Sequence, residues 1–446
     1  METNLRALKR SPTIKALVIG VLILLLLIPV SMIEDVIRDR NAVHQDARHD
    51  IKRSWGYEQL IAGPVLIVPY STTRIDSKGN EVIESGSVYL LPETLALQAD
   101  VSPEILKRGL HKVPIYSSAV TIEGRFGAPD RRRLGIADAA LDWDKAYIAL
   151  SVTDPRAIAE TPGIDVNNVR ARFEAGGQPL FDDLPPPIVA PIGKLPTPAD
   201  APLNFGMTLA VNGSDSLQFA PLGDTTTLTM TSAWPDPSFF GSYLPASRSV
   251  GEQGFSAVWQ ISGLGRALPS QWLNRDHPPA QARQSAFGVD FYMPVSLYQA
   301  TQRATRYAVL FIGLSFVAYF LFEILGGRQL HPLQYLLVGF ANALFYLLLL
   351  SLAEHIGFGR AYMLSAIASA GLISGYSVTI LGGPGRAAIV ALILAGLYSF
   401  LYMTLKAESF ALLGGSIGLW MTLAVIMYMT RRIDWFSQGR DPVPGD

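Results

Sequence analysis

The chain has 446 residues, a formal net charge of −1, 49% hydrophobic residues and no cysteine. This charge balance gives no reason to expect a nucleic-acid partner, and the lack of cysteine excludes thiolate catalysis, Cys-ligated zinc and iron–sulfur clusters. Only 16% of the residues are charged, against about 25% in ordinary soluble proteins. Because charged residues are scarce mainly within 307–429, the composition predicts a membrane protein with a separate water-facing part.

Six stretches are apolar over the roughly 20 residues that a helix needs to cross a membrane. The first covers 14–33 and is followed directly by Glu34 and Asp35. Its apolar run is longer than that of a secretory signal and no A-x-A cleavage site follows it, so we expect an uncleaved anchor. The other five cover 307–325, 333–353, 361–381, 387–405 and 410–429.

The distribution of Lys and Arg over short loops predicts how these six spans are oriented. With the N-terminus in the cytoplasm, only Arg360 and Lys406 fall in short outer loops, whereas the inner side carries Arg6, Lys9, Arg10, Lys15, Arg328, Arg386, Arg431, Arg432 and Arg440. We therefore predict a bacterial-type cytoplasmic membrane protein with a cytoplasmic N-terminus (1–13), a first span (14–33), a periplasmic region (34–306), a five-helix bundle (307–429) and a cytoplasmic tail (430–446).

The predicted periplasmic region reads mainly as β-strands. Alternating or continuous apolar patterns predict strands at 64–70, 87–91, 95–101, 113–126, 146–153, 205–212, 225–232, 255–261 and 287–292. Residues 34–53 are expected to continue the first spanning helix. The proline-rich stretch 184–203 is either a boundary between two β-rich lobes or a loop inside one domain, because proline cannot donate a ladder hydrogen bond.

A search for catalytic and metal-binding motifs gives little. The six histidines have no metal-ligand spacing, and no Walker A, HExxH or EF-hand motif occurs, so we expect no enzyme activity and no cofactor. Residues 414–418 fit G-x-S-x-G, but they lie in an apolar segment rather than at the strand-to-helix turn that this motif requires. An intramembrane protease of the rhomboid type would have G-x-S-G, and this chain has Ile417 in place of its last glycine. The pairs Gly414/Gly418 and Gly371/Gly375 are better interpreted as helix-packing positions.

Ionisable residues near the ends of the predicted spans are the next candidates. Glu323 is interpreted as a helix-end residue paired with Arg328, although a proton or ion path would use such an acid too. His331 is interpreted as a helix-entry residue. The remaining candidates share a place at a membrane interface: Arg303, Arg306, Tyr307, Glu354 and His355.

A proline- and aromatic-rich segment follows the strand predicted at 225–232 and is predicted to form a rigid loop. Its rings either plug a core or form an exposed platform that touches lipid or an envelope partner. These candidate residues are Trp234, Pro235, Pro237, Phe239, Phe240, Gly241 and Pro245.

Several runs resemble the CreD family of bacterial inner-membrane proteins. They are MTSAWPDPSFFGSYLPASRSVGEQGFSAVWQ (230–260), YQATQRATRYAVLFI (298–312), FLFEILGGRQLHPLQYLLVG (320–339), SLAEHIGFG (351–359) and RIDWF (432–436), with the first span and GPVLIVPY (63–70) matching the opening. The resemblance covers essentially the whole chain. It implies an envelope-integrity protein under a CreB/CreC two-component system, with effects on colicin tolerance and β-lactam response, and it implies no catalytic residues.

Together these features predict six transmembrane helices and a large β-rich periplasmic domain between the first and the second. The leading hypothesis is a non-enzymatic envelope-integrity and stress-response factor acting through periplasmic contacts with membrane lipid or envelope proteins. A transporter or lipid-handling protein that uses the five-helix bundle is the alternative.

Overall fold

A computed structural model describes residues 12–75, 81–109, 111–136, 139–193, 202–266, 268–274, 282–291, 293, 297–326, 329–406 and 411–431. The chain forms two compact units. The helical unit combines Met1–Gln45 with Val295–Asp446, and the β unit is Asp46–Pro294.

The described residues form seven α-helices, besides short 3₁₀ turns in the β unit. They are α1 (Pro12–Trp55), α2 (Leu297–Arg306), α3 (Ala308–Gly326), α4 (Pro332–Ile356), α5 (Phe358–Leu381), α6 (Pro384–Lys406) and α7 (Ala411–Thr430). The predicted helical continuation of the first span at 34–53 is confirmed, because α1 runs without a break to Trp55.

Four of these helices, α1, α4, α5 and α6, are long and apolar enough to cross a membrane. Helices α2 and α3 meet at a 43° bend and together make a fifth. In α7, the described apolar stretch is the shorter Gly415–Val425. The prediction of a membrane protein with an N-terminal apolar helix and C-terminal apolar helices is confirmed, and the count of six spans stays a prediction.

The helical unit has its own core, in which aromatic rings from three helices meet. Phe311 of α3, Phe345 of α4 and Tyr398 of α6 are buried, with ring centroids 4.7–5.4 Å apart. Many outward-facing positions carry large apolar side chains, such as Leu24 on α1 and Ile367 on α5. Such a surface suits lipid, in which every backbone polar group must be paired within the helix itself.

The described residues of the β unit form eighteen strands in two sheets. The first sheet has ten strands in the order β14-β18-β12-β1-β6-β10-β9, with β2 and β5 also paired to β1 and β17 paired to β2. Its strands are β1 (Gln59–Ile75), β2 (Glu81–Leu90), β5 (Ala140–Leu141), β6 (Tyr147–Val152), β9 (Glu174–Ala175), β10 (Ile188–Pro191), β12 (Ser216–Phe219), β14 (Pro237–Gly241), β17 (Gln271–Leu273) and β18 (Phe287–Phe291).

The second sheet has eight strands in the order β15-β16-β13-β3-β4-β11-β7-β8. They are β3 (Thr94–Arg108), β4 (His111–Phe126), β7 (Gly163–Val166), β8 (Val169–Arg172), β11 (Leu203–Ser214), β13 (Thr225–Ser232), β15 (Ser247–Gly251) and β16 (Gly254–Ser262). All neighbours in this sheet are antiparallel except β13 and β3, which run parallel.

Buried side chains of both sheets form one core cluster. Strands β3, β11 and β16 alternate buried and exposed residues, so the second sheet buries one face and leaves the other exposed. Strand β1 is buried without alternation from Leu60 to Val68, which is the pattern of a strand covered on both faces.

The proline-rich stretch 184–203 contributes to the first sheet rather than lying wholly in a loop. Residues Ile188–Pro191 form β10, which pairs with β6 through Val189 and Ala149. Leu184 and Leu203, at the two ends of the stretch, both belong to the common core cluster. The residues before and after this stretch therefore belong to one compact β unit. Residues 194–201 of the stretch lie outside the described residues.

Candidate functional site

The aromatic segment predicted as a loop after β13 is largely a strand. Residues Pro237–Gly241 form β14, which pairs with β18 from Phe291 to Phe287, and the chain then crosses to β15 at the edge of the second sheet. The loop prediction is therefore wrong for 237–241. The error arises because the two prolines in W-P-D-P favour a turn. The partner strand β18 lies about 50 residues further on, so nothing in the neighbouring sequence indicates the pairing.

The rings of this segment pack inward. Trp234 is 8% exposed and lies edge-on against Phe291 with ring centroids 6.1 Å apart. Phe239 packs edge-on against Phe255 at 5.5 Å and Trp259 at 5.8 Å. The structure thus favours the core role of these two rings over the exposed platform.

The other candidates of the segment lie at its surface. Pro235 and Gly241 are exposed, whereas Pro237, Phe240 and Pro245 are partly exposed. Gly241 has a φ of +99°, and a Cβ there would clash with the backbone of Ala286, so glycine is required at the point where β14 ends.

This segment and the residues that follow it form two edge strands, β14 and β15. β14 is the edge of the first sheet and β15 is the edge of the second. All five residues of β15 are exposed, and Val250 retains 50% of its side-chain surface. A small depression of about 390 Å³ joins Val250 to Pro235, Asp236, Pro237 and Ser238. An edge strand with free backbone groups is the structural element to which a further strand adds.

The outer face of the second sheet carries mostly uncharged polar side chains. Register sets the side chains of neighbouring strands side by side: Thr229 of β13 lies beside Gln98 of β3, Gln98 beside Thr121 of β4, and Thr121 beside Thr208 of β11. We call this surface the hydroxyl face. Its outward residues on the five strands are Ser256, Val258, Gln260, Ser262, Thr225, Thr227, Thr229, Thr231, Thr94, Ala96, Gln98, Asp100, Ser102, Ser117, Ala119, Thr121, Glu123, Arg125, Asn204, Gly206, Thr208, Ala210 and Asn212.

A depression of about 540 Å³ lies at the β15 end of the hydroxyl face. Its wall includes Asp100, Thr231, Ser249, Gln253 and Ser256. The hydroxyl of Thr231 donates to the Asp100 carboxylate at 2.5 Å, which fixes the orientation of that acid.

A charged cluster lies within the β unit, to which the last turns of α1 (Asp46–Trp55) belong. Asp215 accepts hydrogen bonds from Arg48 at 3.1 Å and ion-pairs with Lys52 at 2.5 Å, and Lys52 also contacts Glu58 at 3.1 Å. Burial, together with the negative charges of Asp215 and Glu58, raises the pKa of Asp290. These ion pairs connect Arg48 and Lys52 of the last turns of α1 to Asp215 and Glu58 of the same unit.

In the helical unit, Glu323 is a buried acid with three partners. Its side chain is 5% exposed and pairs with Lys15 of α1. It also accepts the Tyr335 hydroxyl at 2.9 Å and the Leu330 amide at 3.1 Å. The expected partner Arg328 lies outside the described residues. Lys15 is 308 positions away in the sequence, so only the fold brings the two charges together.

A cavity of about 470 Å³ adjoins this acid. One wall is apolar and comes from α1, with Val18, Ile19 and Leu22, and the polar end contains Lys15, Glu323, Gln329, His331 and Tyr335. His331 caps α4 as the helix-entry residue of a capping box, with Leu333 donating to its Nδ1 at 3.2 Å.

Glu354 and His355 lie in the last turn of α4. Glu354 accepts the Tyr298 hydroxyl at 3.1 Å, and the Tyr298 ring contacts the His44 ring of α1 at 5.3 Å. The exposed His355 lies 3.0 Å from the Ser351 carbonyl through its Nδ1. The structure thus gives Glu354 a partner on α2.

The candidates at the α2–α3 junction divide by exposure. Arg306 is exposed, whereas Arg303 and Tyr307 are partly buried. Tyr307 stands at the break between the two helices, where its amide donates to Ala304 at 3.0 Å. The proposed membrane-interface role of these three residues stays a prediction.

The centre of the helical unit holds a polar cluster around Asn342, which is 1% exposed. Its amide donates to Ser315 at 3.2 Å, and its carbonyl accepts from Tyr398 at 3.4 Å. The backbone carbonyl of Tyr398 in turn accepts the Tyr362 hydroxyl at 2.6 Å. Tyr346, 1% exposed, has no partner for its hydroxyl among the described residues.

Two of the predicted glycine positions behave differently from the prediction. No described atom outside the local backbone of α5 lies within 4 Å of where a Cβ would stand on Gly371 or Gly375, so this pair does not pack against any other described helix. Gly418 does pack, because a Cβ there would overlap the Phe400 ring of α6. The packing at Gly414 lies outside what the structure describes. Ser416 of the G-x-S-x-G motif is exposed on α7.

The closest helix contact at a glycine is one that the sequence did not single out. Gly339 of α4 is buried, and a Cβ on it would overlap Leu26 of α1 and Phe316 of α3. A lone glycine in an apolar helix has no motif around it. The hydroxyl face, by contrast, had a usable signal, namely the alternating threonines of TTTLTMTS.

Comparison with known proteins gives one family. The profile of the family described as "Inner membrane protein CreD" matches residues 11–436. A relative with the same description, from Escherichia coli (strain K12), is 33% identical over 424 residues, which is 93% of this chain and 92% of the relative. Among solved structures, an M1 zinc metallopeptidase from Deinococcus radiodurans shares 12% identity over 45% of this chain and 42% of the other, with a TM-score of 0.19. That likeness supports no inference.

Proposed function

The chain belongs to the CreD family of inner-membrane proteins, and from this premise we propose that it contributes to cell-envelope integrity and stress response through contacts made by its β unit in the periplasm. The role is non-enzymatic, and colicin tolerance and the response to β-lactams are the phenotypes that it affects. Membrane lipid and envelope proteins are its partners.

The proposal includes six spans with both termini in the cytoplasm. It is supported by the distribution of basic residues over short loops and by the lengths of the apolar helices. In this orientation the Lys15–Glu323 pair lies near the inner surface of the membrane, and Glu354 with Tyr298 lies near the outer surface.

The single observation that carries the proposal is the edge strand β15. It lies within 230–260, one of the runs that resemble the family, its five residues are all exposed, and it borders two depressions. A partner that adds a strand there gains main-chain hydrogen bonds and can place a side chain against Val250.

Two exposed valines on opposite edge strands provide a matched test. Val250 lies on β15 and is 50% exposed, and Val169 lies on β8 and is 42% exposed. We expect Val250→Lys to sensitise cells to β-lactams and colicin at normal protein abundance, whereas Val169→Lys leaves resistance unchanged.

A photo-crosslinking amino acid at Ser249 tests the contact itself. We expect a light-dependent adduct at this position in living cells and none at Arg170 of β8, and the Val250→Lys change should weaken the adduct. Full resistance in the Val250→Lys strain, with no adduct at Ser249, would show that β15 is not the working surface.

A lipid-handling role is the second candidate, because the cavity of about 470 Å³ has an apolar wall and a polar end, the usual arrangement of a ligand pocket. Filling it with Val18→Trp should remove any lipid that co-purifies with the detergent-solubilised protein. Leu17→Trp, on an exposed position of the same helix, is the control. If no lipid co-purifies with the unmodified chain, this candidate is refuted.

A further inference from the structure

The hydroxyl face is wide, regular and almost free of charge. Five strands about 4.8 Å apart, each presenting every second residue, give a surface of roughly 20 Å in both directions. The positions in its middle carry amides and hydroxyls, for example Gln98, Thr227, Thr229 and Gln260. Ion-paired charge appears at its margin, where Arg125 bonds Glu93 at 3.0 Å.

This composition excludes most classes of partner. A nucleic acid or an anionic lipid headgroup is held by clustered Lys and Arg, which the middle of the face lacks. A protein partner is usually anchored by aromatic or Arg side chains, and an acyl chain needs contiguous apolar area. None of these features occurs among the outward residues in the middle of the described face.

What the face does offer is a dense array of groups that both donate and accept hydrogen bonds. Each Thr hydroxyl supplies one donor and two acceptor sites, and each Gln amide supplies two donors and a carbonyl. A ligand that matches this array is itself uncharged and carries closely spaced hydroxyl and amide groups. Sugar chains have this chemistry.

A shallow, open depression adjoins the face and gives such a chain a second set of polar contacts. It measures about 540 Å³. The Asp100 carboxylate, oriented by Thr231 at 2.5 Å, is a strong acceptor for a pair of sugar hydroxyls.

We propose that the hydroxyl face, with the depression at Asp100 and Thr231, binds the uncharged glycan strand of the cell wall. The inference rests on the proposed function, since it requires the β unit to lie in the periplasm. It names one component of the envelope that the protein contacts there, on a surface that adjoins β15 and shares Ser249 with it.

The experiment uses the full chain in lipid nanodiscs and two probes: purified wall sacculi for co-sedimentation, and the tetramer of β-1,4-linked N-acetylglucosamine for titration by calorimetry. We expect both to bind. Thr229→Lys, in the middle of the face, should weaken binding at least tenfold. Thr161→Lys, the same change at an exposed position outside the face, should leave binding unchanged.

Three outcomes would overturn the inference. The first is failure of the unmodified chain to bind either probe at millimolar sugar, and the second is equal binding by the Thr229 and Thr161 variants. The third is loss of binding in about 0.3 M salt, which would assign the contact to charged wall peptides because salt screens charge–charge attraction. Topology is checked separately by labelling Thr161→Cys in intact cells. A periplasmic label with no glycan binding refutes only this inference, whereas a cytoplasmic label refutes the proposed function as well.

Discussion

Removing the Lys15 ammonium should destabilise the helical unit more than removing the charge of Glu323. The two side chains form a buried pair, but they are unequally buried, at 24% and 5% exposure. Lys15→Met leaves a carboxylate with no cation among its described partners. Glu323→Gln leaves an ammonium that can extend along its own stem to the membrane surface.

The magnitudes follow from this asymmetry. Breaking a buried ion pair from one side costs about 3–5 kcal/mol, and the lower end, about 3 kcal/mol, applies to Lys15→Met because the ammonium already touches solvent. Glu323→Gln should cost about 1 kcal/mol, since an amide at 323 still bonds the Tyr335 hydroxyl and the Leu330 amide. The double variant should also cost only about 1 kcal/mol, because no lone charge remains, which makes the pair strongly non-additive.

The assay is unfolding of the full chain by SDS in mixed micelles, followed by the circular dichroism of its helices. Lys15→Met should show the lowest midpoint, and the double variant should recover most of the loss. Additive costs, or a Glu323→Gln variant less stable than Lys15→Met, would refute the assignment of Glu323 as a carboxylate held by Lys15.

Three further predictions concern single side chains. Tyr346→Phe should be neutral or stabilising because it removes a hydroxyl without a partner among the described residues. Tyr362→Phe should cost about 1 kcal/mol of stability, because it removes the hydrogen bond of 2.6 Å to the Tyr398 carbonyl. SDS unfolding of both variants checks this, and equal losses of stability would contradict it. Gly339→Leu should separate α1 from α4, since the new side chain would occupy the place of Leu26. Proteolysis between the β unit and the first span should then become faster, whereas the control variant Gly371→Leu should be cleaved at the normal rate. Asp290→Asn should raise the thermal midpoint of the β unit at pH 7 and not near pH 3, as read by tryptophan fluorescence: a carboxyl whose pKa is raised in the folded state contributes stability while protonated and loses it as the pH rises through that pKa.

Much of the fold could be predicted from local pattern. Continuous apolar runs gave the spanning helices, and alternation gave strands such as β3 and β16, because a strand or helix with one buried face repeats its apolar residues at a fixed period. The continuous run at 64–70 was correctly assigned to a strand, and its lack of alternation reflects burial of β1 on both faces.

What the sequence could not provide is the pairing of distant elements. Glu323 was assigned a neighbour five residues away, whereas its partner Lys15 is on α1. Likewise, W-P-D-P predicted a turn and concealed β14, whose existence depends on β18. The G-x-x-x-G motif selected Gly371 and Gly375, which no described part of the chain contacts, because the motif reports an ability to pack and not the presence of a partner.

Both proposals require that the β unit lies in the periplasm, and this can be measured directly. The chain has no cysteine, so single cysteines can be introduced at the exposed positions Thr161 in the β unit and Gly385 at the start of α6. A maleimide that cannot cross the inner membrane should label Thr161→Cys in intact spheroplasts and Gly385→Cys only after the membrane is opened. Labelling in the reverse order would place the β unit in the cytoplasm and contradict the proposed function.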